Sequence, residues 1–324
     1  MKKILMITTG GTIACIPSDN GLVPKISGCD IISIVPELKD ICNIDTAEIM
    51  NIDSSNLSPN NWIMMLDTLE KNYNNYDGFV ITHGTDTMAY SASMLSCAIS
   101  NLNKPVVFTG SQLPIKAAGT DAYRNIYAAF LAACSDNCGV FLAFNGLIHN
   151  GDCTKKVYSE DFTGFLSINN ETAGVSDNKK IIWNTVNKKK KGRVSFNKNI
   201  SEKVFILKMI PSLKPDIIDV LINMGYRGII IESYGAGGVP AEECENNFIP
   251  ALKKATENGV AIVCATQCLY NGVHLDKYPA GIMAEKYGAV SCKNMTVEKT
   301  LAKLMLGLGN NMNIKELKEY IEND

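Results

Sequence analysis

Along the first half of the chain, short unbroken apolar runs alternate with longer stretches in which apolar residues recur every three or four positions. The runs Lys3–Thr9, Ala47–Asp53, Phe79–Thr82, Val106–Thr109 and Val140–Phe144 are brief and apolar throughout, as strands buried on both faces are. Ser58 and Pro59 read as an N-cap and first helical position, after which Trp62, Leu66 and Leu69 follow at helical spacing. Two further helices are predicted over Met88–Ile99 and Ala122–Cys134. This order predicts a parallel or mostly parallel sheet covered by helices.

The segment Asn169–Asn199 breaks the rhythm. It is polar and rich in asparagine, and it carries the run Lys188–Lys191 followed by Gly192 and Arg193. A basic run of this kind can bind phosphate or nucleic acid, but in a chain of balanced charge it reads as a solvated connection between domains. Beyond it, strands predicted at Val204–Met209, Gly228–Ser233 and Ala261–Thr266 alternate with helices at Pro215–Met224 and Asn246–Asn258. Helices over Val297–Leu308 and Ile314–Ile321 close the chain. The expected fold is α/β with two domains. The larger N-terminal domain, residues 1–185, carries a mixed or parallel sheet flanked by helices and the candidate site. A linker over 186–203 leads to a smaller parallel α/β domain at 204–324.

Composition narrows the function more than the fold. A length of 324 residues suits two α/β domains or one large one. With 31 basic and 33 acidic residues the formal charge is −2, which leaves no electrostatic footprint for nucleic acid or an anionic membrane. Small-molecule chemistry fits better. Eleven cysteines without regular spacing argue against a disulfide scaffold and for a reducing compartment, the cytoplasm. The apolar run Ile4–Ile7 is too short for a signal-peptide core, and no stretch approaches the ~20 apolar residues of a membrane span.

Chemistry is expected where two segments, Thr9–Ala14 (TGGTIA) and His83–Thr87 (HGTDT), follow apolar strands. Ligands of open α/β sheets sit at such carboxyl ends, against loops and helix N-termini. Gly10 and Gly11 permit a tight turn and close approach to a ligand, and Thr12 offers a hydroxyl. Gly84 permits another turn, Thr85 is predicted to cap a helix, and Asp86 suits that helix's positive end. Either segment alone is also what an ordinary strand-end turn looks like. Neither is a phosphate loop, because the G-x-x-x-x-G-K-[ST] and G-x-G-x-x-G spacings are absent.

A threonine nucleophile needs a base. The three histidines, His83, His149 and His274, accompany no G-x-S-x-G elbow, and His83 at a strand end reads as a core imidazole. No H-E-x-x-H or paired C-x-x-C points to a metal. A desolvated lysine can serve as a neutral amine, and Lys155 and Lys156, following the apolar Phe141–Ile148, are candidates. Periodicity alone makes either a surface lysine.

TGGTIA followed about seventy residues later by HGTDTMAY resembles the asparaginase family, and more closely its cytoplasmic type I branch. The likeness continues through DSSNL (Asp53–Leu57), KPVVFTGSQLP (Lys104–Pro114), SYGAG (Ser233–Gly237), ATQC (Ala265–Cys268) and MTVEKT (Met295–Thr300), and so covers nearly the whole chain.

The resemblance implies hydrolysis of L-asparagine to L-aspartate and ammonia with no metal or organic cofactor. By position, Thr12 would be the nucleophile, while Lys156 would draw the proton of Thr85 and Asp86 would position Lys156. Lys156 is preferred to Lys155 because it stands nine residues before Phe165, in a stretch similar to the family's lysine segment. Turns at Gly11 and Gly84 would stabilise the oxyanion, and Ser54 and Ser55 would take the substrate carboxylate. Asp86 would take the substrate ammonium, and Ser111 would contribute its backbone carbonyl. The motifs leave open which threonine attacks first. The family's habit implies a homodimer or homotetramer.

Two departures stand against this. Leu22, in GLVP, occupies the place of a loop tyrosine usual in the family, and the asparagine often found near Gly238 is absent. Two other readings follow. The amidase subunit of an archaeal tRNA-dependent amidotransferase shares the motifs but carries an extra N-terminal domain, for which the start of TGGTIA at Thr9 is expected to leave no room. A non-catalytic amino-acid-binding sensor would keep the pocket without turnover.

Overall fold

The computed structural model describes residues 1–19 and 21–323. It divides into two compact units, Met1–Lys198 and Asn199–Asp324.

In the first unit, β1 (Lys3–Gly10) leads into a hairpin of β2 (Cys15–Ser18) and β3 (Gly21–Pro24), then α1 (Gly28–Ile34), α2 (Leu38–Ile41), β4 (Asn43–Ile52) and α3 (Pro59–Asn72). There follow β5 (Gly78–Thr82), α4 (Thr85–Ala98), β6 (Ile99–Ser100), β7 (Pro105–Thr109) and α5 (Ala122–Ala133). The unit ends with β8 (Gly139–Phe144), β9 (Leu147–Asn150), β10 (Thr154–Lys156), β11 (Phe165–Ser167), β12 (Gly174–Ser176), β13 (Ile181–Trp183) and β14 (Ser195–Phe196).

Eight of these strands form one sheet in the order β13-β12-β9-β8-β7-β5-β1-β4. The five from β4 to β8 run parallel, and β9, β12 and β13 continue antiparallel, so the sheet is mixed. The parallel core explains the unbroken apolar runs. Ile4, Met6 and Ile7 of β1, between β4 and β5, have no exposed surface on either face. On one face, Ile126 and Phe130 of α5 pack with Val80, Val107 and Phe141.

α3 opens with Ser58 and Asn61 in a reciprocal capping box and Pro59 in its first turn, the signal visible in the sequence. Three differences from the sequence reading have physical reasons. β4 begins at Asn43 rather than Ala47, because it is an edge strand whose half-buried first residues look like loop. α1, which the pattern did not show, is seven residues long and is set by a capping box between Ser27 and Asp30.

Third, residues 169–199 are more than a connection. β12 and β13 finish the large sheet, Trp183 packs its ring 5.0 Å from Phe141, and β14 pairs with β6. Strands of two or three residues are too short to show a period. Lys188–Lys191 are exposed, and the Lys190 main chain is held by the Asn103 side chain at 2.6 and 3.0 Å.

The second unit is a smaller α/β layer. Its strands β15 (Val204–Lys208), β16 (Gly228–Ser233), β17 (Ala261–Thr266) and β18 (Val290–Ser291) lie parallel in that order. Helices α6 (Ile217–Asn223), α7 (Ile249–Glu257), α8 (Pro279–Lys286), α9 (Val297–Gly309) and α10 (Ile314–Glu322) cover it. Ile230, Ile262, Leu252 and Leu304 are fully buried in its own core. Among the described residues no helix is long and apolar enough to cross a membrane.

Candidate active site

β1 ends at Gly10 and is followed by Gly11 for a steric reason. Their φ values are 100° and 80°, in the region that L side chains avoid. A Cβ on Gly10 would stand 2.4 Å from the Ile52 carbonyl oxygen, and one on Gly11 would stand 2.4 Å from the Gly84 nitrogen. The two threonine segments therefore touch through glycine backbones. Gly11 N–H donates to Ile52 at 3.0 Å, and the chain then turns through the short 3-10 helix Thr12–Ala14. Ile13 is fully buried and its carbonyl accepts from Ile115 N–H at 3.2 Å, which leaves the half-buried Thr12 beside it at the wall of a cavity. Gly11→Ala should destabilise the protein by about 2 kcal/mol or more, from strain plus collision, measured as a shift in the urea unfolding midpoint.

α4 supplies the opposite wall. Its N-cap is Gly84, in extended conformation and with no side-chain cap; Thr85 is the first helical residue. The expectation that Thr85 caps the helix is therefore corrected: glycine meets the close packing against Gly11 and Ser54, where a Cβ on Gly84 would lie 2.5 Å from Ser54 Oγ. The Thr85 hydroxyl is turned to another partner. The first-turn N–H groups have no carbonyl within the helix to bond, so this end is suited to negative charge.

The partner of Thr85 comes from β10. Lys156 pairs with Phe165 of β11 and Lys155 pairs with Leu166, so the two lysines point to opposite faces. Lys156 Nζ donates to Thr85 Oγ1 at 2.8 Å and meets Asp86 Oδ1 at 2.6 Å. The lysine side chain is 18% exposed and that of Asp86 62%, so the ion pair adds at most about 1 kcal/mol to stability. Its consequence is geometric, because it holds an amine against a hydroxyl.

The cavity between these walls has a volume of about 160 Å³. Pockets for drug-sized ligands run from roughly 300 to 1,000 Å³, so this one suits a smaller molecule. Gly11, Thr12, Gly84, Thr85, Asp86 and Ser54 all line it, and so does Leu22 of β3. Asp53 and Cys15 line it as well, though the sequence reading gave neither a role. Ser54 is buried and its carbonyl accepts from Thr87 Oγ1 at 2.9 Å, which ties its turn to α4. Ser55 is exposed, and both its N–H and its hydroxyl donate to Asp53 Oδ1 at 2.8 Å. Ser111 is buried past the end of β7, with its hydroxyl on the Leu113 carbonyl at 2.5 Å.

Gln112, inside KPVVFTGSQLP, is a residue the sequence reading left without a role. Its Oε1 lies 3.5 Å from Thr85 Oγ1, and its Nε2 donates to the carbonyls of Asp161 at 2.9 Å and Ser159 at 3.2 Å. It thereby joins Thr85 to the loop between β10 and β11. Its place just after a strand that ends at this site was the available signal. Among the described residues no group of three or more His, Cys, Asp or Glu is arranged to hold a metal ion.

His83 and His149 are buried within this unit, and burial holds each ring's proton affinity down to about 4, against an ordinary 6.5. Folded, both stay neutral; unfolded, both take up a proton near pH 6.5. The unfolded state thus binds more protons between pH 6.5 and 4. Stability is full above that window, falls as pH drops through it and levels off below it. The gap is worth up to roughly 3 kcal/mol per ring. Urea unfolding at pH 7 and pH 4.5 should show a loss of several kcal/mol, and His83→Asn should remove part of it.

The chain is similar throughout its length to proteins of one family. Residues 3–189 match the family model described as "Asparaginase, N-terminal", and residues 203–321 match "Glutaminase/Asparaginase C-terminal domain". The L-asparaginase of Thermococcus kodakarensis is 33% identical over 321 residues, 99% of this chain and 97% of that protein. A Glutamyl-tRNA(Gln) amidotransferase subunit of Pyrococcus furiosus is 34% identical over 334 residues, 99% of this chain and 75% of that protein. Among solved structures, the thermostable L-asparaginase from T. kodakarensis superposes with a TM-score of 0.94 at 33% identity, covering 99% of this chain and 97% of that one. L-asparaginase I from Vibrio cholerae gives 0.89 at 30% identity, covering 100% and 97%. The chain belongs to the asparaginase family and is type I-like within it.

Proposed function

We propose that the chain hydrolyses the side-chain amide of L-asparagine to L-aspartate and ammonia through a threonine acyl-enzyme. The observation that carries this reading is Lys156 Nζ, 2.8 Å from Thr85 Oγ1 and 2.6 Å from Asp86 Oδ1, at a small cavity that also exposes Thr12. Thr12 Oγ attacks the amide carbon, and the carbonyl oxygen becomes an oxyanion that accepts hydrogen bonds from backbone N–H groups in the turn after Gly11, whose own N–H is held by Ile52, and in the first turn of α4. Ammonia leaves with a proton, and water then attacks the ester carbon to release aspartate and restore the Thr12 hydroxyl. Lys156 first passes a proton through Thr85 to the departing nitrogen; the neutral amine so formed receives the proton of Thr85 as Thr85 Oγ1 takes one from the attacking water, while Asp86 holds Lys156 and offers its exposed carboxylate to the substrate ammonium. Ser54 faces the substrate carboxylate. Leu22 cannot assist Thr12 as a tyrosine hydroxyl would, so water or another group must take the Thr12 proton.

On the same reading the chain is a cytoplasmic homodimer or homotetramer that needs no cofactor. Ammonia release from L-asparagine, set beside L-glutamine and D-asparagine, tests the activity. Release from L-asparagine by the chain alone, unchanged by added tRNA, supports the hydrolase. The amidotransferase relatives favour a second reading, a subunit that liberates ammonia for a tRNA-bound acceptor; turnover that requires tRNA would establish it. Asparagine binding by calorimetry without ammonia from any amide would mark a non-catalytic amino-acid-binding sensor.

A further inference from the structure

Beneath the cavity, three buried hydrogen bonds run in series from α3 to the peptide that opens α4. Trp62 Nε1 donates to Ser91 Oγ at 2.9 Å, Ser91 Oγ lies 2.9 Å from His83 Nε2, and His83 Nδ1 lies 2.7 Å from the Gly84 carbonyl oxygen. All three side chains are buried. Their directions follow from donor and acceptor chemistry. A carbonyl only accepts, so His83 Nδ1 carries the hydrogen; an indole N–H only donates, so Ser91 Oγ accepts from Trp62. Burial keeps the ring neutral, which makes Nε2 a lone pair that accepts the Ser91 hydroxyl hydrogen.

We propose that His83, locked by Ser91 and Trp62 in its Nδ1–H tautomer, is a positioning residue that sets the plane of the Gly84–Thr85 peptide and thereby aims Thr85 into the site. The peptide is planar and trans, so a C=O drawn toward the buried imidazole turns the Thr85 N–H the opposite way, and both residues of that peptide line the cavity. Gly84 has no side chain to fix that plane. As N-cap its carbonyl also serves the first helical turn, and its second lone pair is open to His83. His83 is anchored in turn, because its backbone N–H donates to the Thr109 carbonyl of β7 at 2.8 Å and Phe108 meets the ring edge-on at 5.8 Å. A histidine that merely filled space would need no donor at Nδ1.

This inference rests on the asparagine hydrolase reading, and its test separates the two. Asparagine has an N–H donor at about the position of histidine Nδ1, and leucine has none. His83→Leu should lower kcat for L-asparagine about 100-fold with KM changed less than about threefold, the signature of a misplaced group that acts in the transition state. His83→Asn should recover at least about tenfold of that loss. Should His83→Leu fail to fold, Ser91→Ala replaces it, with kcat expected to fall about tenfold at unchanged KM. Nitrogen-15 NMR of histidine-labelled wild type, assigned by the signal lost in His83→Asn, should show the proton on Nδ1. A ring protonated at Nε2, equal kcat in His83→Asn and His83→Leu, or unchanged kcat in Ser91→Ala would overturn the proposal. If the wild type releases ammonia from no amide, the hydrolase reading has failed, and the tautomer alone then decides whether the relay exists.

Discussion

Thr12→Ala should lower kcat for ammonia release from L-asparagine by at least about 1,000-fold, with the unfolding midpoint almost unchanged. The loss is large because the variant removes the atom that becomes covalently bonded. What remains is binding and oxyanion stabilisation, which alone leave a small residual rate. Stability should be nearly indifferent. Thr12 is half-buried at a cavity wall, the turn is held by the neighbouring Ile13, and substitutions at such positions usually change stability by less than about 0.5 kcal/mol. Steady-state kinetics with circular dichroism melting would check both halves. Substantial activity in Thr12→Ala would make Thr85 the better candidate nucleophile. Mass spectrometry of a rapidly quenched reaction would then locate the acyl group.

Lys156→Met should cost about 100- to 10,000-fold in kcat, while Lys155→Met should stay within about threefold. The two lysines are adjacent in sequence and chemically identical, so the contrast isolates position. Pairing of β10 with β11 sends Lys156 to Thr85 and Asp86 and sends Lys155 to the other face. Methionine keeps much of the lysine stem's volume and removes only the amine. The lost ion pair is worth little because the Asp86 side chain is 62% exposed, so a large fall in kcat cannot be put down to unfolding. Comparable losses in both variants would show that the Lys156 amine has no special part in turnover.

How much of this was legible depends on the length scale of each signal. The parallel strands of the large sheet were readable because burial on both faces forces apolar residues at every position. α3 was readable because Ser58, Pro59 and the Trp62 stripe are local signals. β12, β13 and β14 were not, since two or three residues paired to distant strands leave no period behind. Asn43–Thr46 fell outside the strand predicted at Ala47–Asp53 for a related reason: an edge strand is half-exposed and needs no apolar residues on the solvent side.

The same division runs through the site. That Gly10 and Gly11 follow a strand was plain, but that they must be glycine is a matter of approach: the backbones of Ile52 and Gly84 stand where their side chains would be. Thr85 looked like a cap until the helix started one residue earlier than expected, at the threonine itself. Ser54 and Ser55 were an equivalent pair in the sequence; in the fold Ser54 lines the cavity and Ser55 turns to Asp53. Gln112 carried only the mark of its place just after β7, because its side-chain bonds reach residues 27 to 49 positions away.

Local chemistry along the chain was sufficient to establish an α/β protein, the positions of its main strands and the presence of hydroxyl, carboxylate and amine groups at strand ends. Those properties follow from burial and backbone preference, which each short segment expresses for itself. The meeting of Thr85, Asp86 and Lys156, the separation of Lys156 from Lys155, and the line from Trp62 to Gly84 arise only on folding. They depend on the register of β10 against β11 and on α3 and α4 packing side by side, distances between residues that no neighbour in sequence constrains.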